Sequence, residues 1–413
     1  MPEKTLLFIT PAMPELGGNG LAIRAGNLVE ILSADWAVHV VVLAVGGGEG
    51  RRLPSALEAV VAGWVELPYG DLLDPVCVRC LRTPPGPERL AQLHALDRPL
   101  DAAYQPDRAA EAAYRAFPGV TFDAVFVLRL YMSAVAERFL TMTPRPMLAL
   151  DADDDDVEAR ARFADLRMSR GDKMGALLES AASKAYAEWE QDWLPRFDLI
   201  YAASHVDAER IAARNPLSVV DVIPNVLREP APQRAGVPAD APIPLLMVGN
   251  MSYLPNVDGA VFFAREILPL IRARMPEAGE LVIAGSNPAP AVTALARLPG
   301  VSVAASPPDI DSFYHRAKVA VIPIRAGGGT RIKLIEAFAH RVPVISTRLG
   351  AEGLAVAHEQ HLLLADEPAA FADACVRLMG DAELRGRLTD AARTLQLAEY
   401  SVDALRASMS RGV

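Results

Sequence analysis

The chain has 413 residues, 51% hydrophobic and 22% charged, with 41 basic against 51 acidic side chains. That length is more than one ordinary core organises and points to two domains of about 150–200 residues each, while the composition excludes a disordered or fibrous chain. A net charge of −10 without a long basic block argues against nucleic acid as a partner, and no apolar run reaches the ~20 residues of a membrane span, so membrane contact is expected to be peripheral at most.

Three cysteines, Cys77, Cys80 and Cys375, are too few and too scattered for a disulfide framework, and a reducing, cytoplasmic setting is expected. CVRC has metal-site spacing, yet no second Cys or Cys/His pair completes a tetrahedral zinc site, so these are read as ordinary thiols. MPEKTLLFIT carries an apolar run too short for a signal peptide and is read as leading straight into the fold.

In chain order, TLLFIT is a strand, PAMPELGGNG a glycine-bearing loop, and 21–33 a helix with Leu21, Ala25, Leu28 and Leu32 on one stripe. VHVVVLAV (38–45) is a continuous apolar run, as a parallel strand covered on both faces requires. Residues 46–120 are less legible, with turn-rich VGGGEG and RTPPGPE and an alanine-rich helix near 102–117. Strands follow at 124–128, 147–150, 198–203 and 219–224, separated by helix-length segments. The alternation predicts a doubly wound sheet.

Residues 227–243, rich in Pro and Ala, read as a linker. The same grammar then restarts: LLMVGN (245–250), a helix over 257–275, LVIAG (281–285), VSVAA (301–305), VAVIPI (319–324) and PVIS (343–346), before helices from Pro368, near 380–396 and near 401–409. Two Rossmann-like domains in tandem place a ligand cleft between the carboxyl ends of both sheets.

The densest chemistry lies in RAGGGTRIKLIEAF. Gly327, Gly328 and Gly329 follow a strand and precede a helix, where a tight backbone and orphan N–H groups make an anion cradle. Thr330 fits a helix-cap role or a phosphate contact. Arg331 and Lys333 in the first turn oppose the helix dipole unless something negative sits nearby. A nucleoside diphosphate supplies that charge, with Glu336 accepting ribose or sugar hydroxyls. The plainer alternative is a tight turn, a solvated Arg and Lys, and a surface pair between Lys333 and Glu336. No GxxxxGK[ST] spacing is present, and neither domain opens with the GxGxxG of a nicotinamide-dependent oxidoreductase.

VGNMSYLPNVDGAVFFAREILPLI, LVIAG and SFYHRAKVAVIPIRAGGGTRIKLIEAFAHRVPVISTRLGAEGL together resemble the C-terminal half of retaining glycosyltransferases of family 4. The GGNG loop (17–20), LALDADDDDVEARARF, FDLIYAASHVDAERI and VVDVIPNV resemble its N-terminal half more weakly. The resemblance implies an α/β GT-B fold, two Rossmann-like doubly wound domains facing a central cleft. An acceptor-binding domain is expected over 1–228 and a nucleotide-sugar-binding domain over 243–385, with the final helix, about 397–413, packing back on the first. Gly17 and Gly18 would approach the donor phosphate across the cleft, and Gly249 and Asn250 would join Gly327, Gly328, Gly329 and Thr330 in binding the donor.

The implied reaction is retaining, metal-independent transfer of a hexosyl group from a UDP- or GDP-linked sugar to a hydroxyl of a small-molecule, glycan or lipid-linked acceptor. No further cofactor is expected, and the implied location is cytoplasmic or peripheral at the inner face of the membrane. Arg331, Lys333 and the glycine N–H groups would stabilise the departing diphosphate. Family members commonly carry two glutamates eight positions apart; Glu336 matches the second, but Gly328 occupies the place of the first. Arg129 lies near the position of a basic residue in many members and is taken as a candidate for sugar or phosphate contact, with a helix-start or salt-bridge role as its alternative.

DADDDD (151–156) invites a metal reading, although helix capping and cleft lining suit it better. Trp189 and Trp193 are read mainly as core, with an acceptor platform or membrane anchor as the weaker alternative. His205, His315 and His340 lack ligand spacing and are read as structural. The competing functions are a GT-B-fold epimerase and a non-catalytic nucleotide-sugar-binding protein, the latter favoured by Gly328.

Overall fold

The computed structural model describes residues 4–18, 20–44, 52–230, 242–276 and 279–409. The chain divides into two units, Met1–Asn225 with Ser408–Val413, and Val226–Ala407. VGGGEG, Asn19 of the GGNG loop and most of the expected linker, residues 231–241, lie outside the described residues.

The first unit is built on β1 (Thr5–Thr10), β2 (Ala37–Val42), β3 (Gly63–Glu66), β4 (Ala124–Leu128), β5 (Met147–Asp153), β6 (Leu199–Ala202) and β7 (Val220–Val222). They pair in the order β3-β2-β1-β4-β5-β6-β7, every pair parallel. The central strands carry continuous apolar stretches because helices cover both faces, and Leu7, Ile9, Val125, Val127, Leu148 and Leu150 make the core. β3 escapes the sequence reading because all four of its residues are only half-buried at the sheet edge.

The second unit repeats the plan with β8 (Ile243–Val248), β9 (Leu281–Gly285), β10 (Val301–Ala305), β11 (Ala317–Ile322), β12 (Val344–Ser346) and β13 (Leu363–Leu364). Their order is β10-β9-β8-β11-β12-β13, again all parallel. In each sheet the order reverses beside the first strand, between β1 and β4 and between β8 and β11. Loops at the carboxyl ends of such a pair splay apart and leave a crevice.

The single helix expected over 257–275 is three pieces: Leu254–Phe262, a wide turn Phe263–Ile267, and Leu268–Arg274. Pro269 explains the break, since it has no N–H for the carbonyl four residues earlier and a wider turn absorbs the mismatch. Trp189 and Trp193 are buried side by side, ring centroids 5.4 Å apart, and Trp189 Nε1 donates to Leu130 O and Ser133 Oγ. That burial removes them as an acceptor platform or a membrane anchor. Cys77, Cys80 and Cys375 are free and buried, and burial pushes the Cys77 thiol up to about 11. Among the described residues no helix is long and apolar enough to cross a membrane.

Candidate functional site

The site is built where the second sheet reverses. The loop after β8 carries Gly249 and Asn250, and the loop after β11 carries the three glycines. Gly249 N donates to Ala284 O at 3.2 Å, Met251 N to Ser286 O at 2.8 Å, and a Cβ on Gly285 would meet Gly249 O at 1.7 Å. Only glycine lets the two strand ends approach so closely. Asn250 Oδ1 accepts from Ser252 N at 3.1 Å and Ser252 Oγ at 2.8 Å, which closes the loop on itself.

Asn256 ties this loop to the other. Its Nδ2 donates to Asn250 O at 2.8 Å, and its Oδ1 accepts from Lys333 Nζ. The start of the glycine loop is anchored separately: Arg325 donates through Nε and Nη2 to the buried carboxylate of Asp258, at 2.9 and 2.8 Å, and lies over the Phe262 ring. Gly327 and Gly329 have φ of 110° and 72°, a backbone region that side chains rarely adopt.

The helix that follows runs Ile332–Ala339, with Arg331 rather than Thr330 at its cap position and no side-chain cap bond. The helix-cap role considered for Thr330 is therefore corrected: it is buried one residue earlier, and its carbonyl accepts from Ile332 N at 3.1 Å. Arg331 is 8% exposed; its Nη1 donates to Gly328 O, while its buried Nε has no partner. Lys333 is half-buried, and burial, then the charge of Arg331, pulls its ammonium down to about 7. Two basic side chains thus meet at a helix N-terminus, one partly desolvated and the other with an orphan donor. Among the described residues neither makes an ion pair with a carboxylate, and the charge of Glu336 only partly offsets the cost to Lys333.

Glu336, one turn further, accepts from Tyr314 Oη at 3.1 Å, and burial raises its carboxyl. The surface Lys333–Glu336 pair weighed from spacing is thereby corrected, because each side chain is held by another element. Gly249, Asn250, Gly327, Gly328, Gly329, Thr330, Arg331, Lys333 and Glu336 all fall at this reversal point of one sheet.

Gly17, Gly18 and Arg129 belong to the first unit. Gly17 and Gly18 are exposed in the loop after β1, Gly18 with φ of 97°. Arg129 follows β4 with φ of 80°, and its guanidinium reaches Asp153 at 3.1 Å, Asp154 at 3.0 Å and Asp156 at 2.8 Å. Arg24 forks onto Asp151 at 2.7 and 2.8 Å, and Arg214 onto Asp155 at 2.8 and 3.0 Å. Asp155 also caps the helix Asp156–Ser169 by accepting from Glu158 N at 3.0 Å. The DADDDD tract is thus a set of arginine-paired carboxylates spanning a strand end and a helix start.

Residues 243–381 match the family model described as Glycosyl transferases group 1. The chain superposes on sucrose-phosphate synthase from Thermosynechococcus elongatus with a TM-score of 0.66 at 16% identity, covering 99% of this chain and 98% of that one. Anabaena HepE in complex with UDP gives 0.59 at 12% identity, covering 98% of each chain. The fold is GT-B, and the family-model match lies within its second unit. A Klebsiella pneumoniae protein described as an uncharacterized 44.6 kDa protein in the cps region is 24% identical over 136 residues, 31% of this chain and only 35% of its own length. The matched stretch contains every residue of this reversal point from Gly249 to Glu336.

Sequence reasoning missed Asn256, Asp258 and Tyr314. Asn256 is 77 positions from Lys333, and no local spacing signals that bond. His205 is exposed at a helix start and joins neither group.

Proposed function

We propose that the chain transfers a sugar from a nucleoside-diphosphate sugar to a hydroxyl-bearing acceptor, with the donor diphosphate seated on the glycine loop and helix Ile332–Ala339. The observation that carries this reading is the pair Arg331 and Lys333, a buried cation with an unpartnered Nε beside an ammonium pulled down to about 7. A diphosphate supplies the acceptor for Arg331 Nε and restores the proton on Lys333, so both costs present without ligand are relieved on binding.

As the glycosidic bond breaks, charge moves onto the leaving diphosphate. Donors already in place there stabilise the transition state more than the ground state. We assign Arg331, Lys333 and the N–H groups of Gly327 to Gly329 to the phosphates, and Glu336 to a ribose or sugar hydroxyl. The finer reading is of a family 4, retaining, metal-independent hexosyltransferase using a UDP- or GDP-linked donor. It places the enzyme in the cytoplasm, with a small-molecule, glycan or lipid-linked acceptor taken by the first unit. The proton of the acceptor hydroxyl goes to the leaving phosphate, so no general base is assigned, and Arg129 is left as an arginine that remains charged throughout.

Gly328 favours one other reading. It removes a carboxylate that relatives place near the donor sugar, and Arg331 caps its carbonyl, which suits a protein that binds a nucleotide sugar without turning it over. Calorimetry with UDP, GDP, ADP and dTDP, with and without magnesium, followed by release of nucleotide from the matching sugar nucleotide, tests both. Micromolar binding of one nucleotide, lost in Arg331→Ala and Lys333→Ala, supports the donor site, and turnover decides between enzyme and binding protein. Absence of binding to all four overturns the proposal.

A further inference from the structure

Tyr314, in the short helix Asp311–Arg316, is 2% exposed. Its hydroxyl donates to Glu336 Oε2 at 3.1 Å, and its ring lies flat on His340, with centroids 4.7 Å apart and planes 8° from parallel. His340 follows directly on the helix that carries Glu336, and its Nε2 is 3.2 Å from Asp311 Oδ1. The phenol is therefore gripped by the same two elements it joins. Buried this deeply, it keeps its proton well above the ordinary tyrosine range and stays a donor.

The consequence falls on the two carboxylate oxygens. Oε2 is occupied by Tyr314, whereas among the described residues no hydrogen-bond donor takes Oε1. Lys333 is three positions earlier on the same helix, the spacing at which a free glutamate swings onto a lysine. Instead Lys333 Nζ donates to Asn256, and Glu336 is turned the other way. The bond from Tyr314 thus separates the group suited to hydroxyls from the group suited to phosphate.

We propose that Tyr314 is a positioning residue that orients Glu336 so that Oε1 accepts one hydroxyl of the bound nucleotide sugar and leaves Lys333 free for the diphosphate. This rests on the donor-site reading above. The hydroxyl belongs to the ribose or to the transferred sugar; a single acceptor oxygen on a fixed carboxylate suits either. Losing the phenol lets the carboxylate rotate towards Lys333, so hydroxyl and phosphate recognition weaken together.

The test is calorimetry on the full chain, first with UDP, GDP and ADP, then with the tightest of these, its 2′-deoxy form and its glucose conjugate. Tyr314→Phe keeps the ring on His340 and removes only the hydroxyl, and a melting temperature within about 2 °C of wild type checks that the stack survives. We expect Tyr314→Phe to weaken binding about tenfold, Glu336→Gln to weaken it at least as much, and the double variant to be no weaker than Glu336→Gln alone. A loss seen with the ribonucleotide assigns the hydroxyl to ribose, and its disappearance with the 2′-deoxy form narrows it to the 2′ position. A loss confined to the glucose conjugate assigns it to the sugar. Wild-type binding that Tyr314→Phe leaves unchanged, or losses that multiply in the double variant, overturn this inference alone. A wild-type chain that binds none of the three nucleotides overturns the donor site and this inference with it.

Discussion

The Lys333 ammonium lies against the bare backbone of Gly249: a Cβ built there would sit 3.3 Å from Nζ and 2.7 Å from Asn256 Nδ2. Both contacts are with the ends of side chains, which can move, so Gly249→Ala is expected to fold normally and displace the lysine. Losing a well-placed charged hydrogen bond of about 1.5–3 kcal/mol predicts UDP affinity down roughly 10- to 100-fold, with little change in melting temperature. Gly285→Ala is the contrasting control, because its Cβ would meet the Gly249 carbonyl at 1.7 Å and backbone cannot step aside. A cost of about 3 kcal/mol is expected there, seen as a melting temperature lower by roughly 6–12 °C. Equal UDP affinity in Gly249→Ala and wild type would show that this glycine does not set the position of Lys333.

Lys333 also predicts a pH dependence. Its pKa without ligand is pulled down to about 7, and a bound diphosphate raises it by supplying an opposite charge. Binding therefore takes up a proton once the pH exceeds about 7, and affinity falls as pH rises, by at most tenfold per unit. The probe should be a sugar nucleotide such as UDP-glucose, since a free terminal phosphate titrates near pH 6 and would oppose the trend. Calorimetry in two buffers of different ionisation enthalpy between pH 6 and 9 reads the proton uptake directly. Lys333→Met should remove the slope, and a slope that persists in that variant would assign it elsewhere.

The same shift has a sign for stability. The unfolded chain holds the Lys333 proton up to about pH 10.4, so between pH 7 and 10 it binds more protons than the folded chain, and this residue makes folding less favourable towards the low end of that window. Replacing it by Met is expected to raise the melting temperature of the unliganded protein at pH 7 by a few degrees and to abolish the further rise that UDP produces in wild type. A variant less stable than wild type at pH 7 would mean that the bond to Asn256 outweighs the desolvation of the amine.

The two-sheet plan was legible because buried parallel strands are continuous apolar runs, and TLLFIT, AVFVL, LVIAG and VAVIPI stand out against helix-length spacers. β3 and β13 were not, since a half-exposed edge strand and a two-residue strand carry no run to read. In the candidate site, the glycines, Arg331, Lys333 and Glu336 sit in one contiguous segment, and their chemistry could be argued from order alone. Asn256 and Tyr314 meet that segment only through the fold, 77 positions from Lys333 and 22 from Glu336. The DADDDD tract shows the opposite hazard: its charges suggested a cation from outside, whereas Arg24, Arg129 and Arg214 arrive from distant positions to neutralise them.

Arg129 supplies the last prediction. Its guanidinium holds Asp153, Asp154 and Asp156 at a strand end where Asp153 and Asp156 are both nearly buried. Removing one partner of such a cluster strands like charges together, so Arg129→Ala should cost about 3–5 kcal/mol in chemical unfolding. The deficit should shrink on acidification. Burial pushes Asp156 up to about 7, and Arg129 is the largest influence pulling it back down; without that arginine its pKa rises further. A folded-state pKa above the unfolded value means the folded chain gains stability relative to the unfolded one as pH falls through it. The variant is therefore expected to lie closest to wild type near pH 6 and furthest near pH 8, with UDP affinity retained wherever it is folded. A pH-independent deficit would show that Asp156 does not take up the proton, and normal stability with lost turnover would return Arg129 to the catalytic role considered from the sequence.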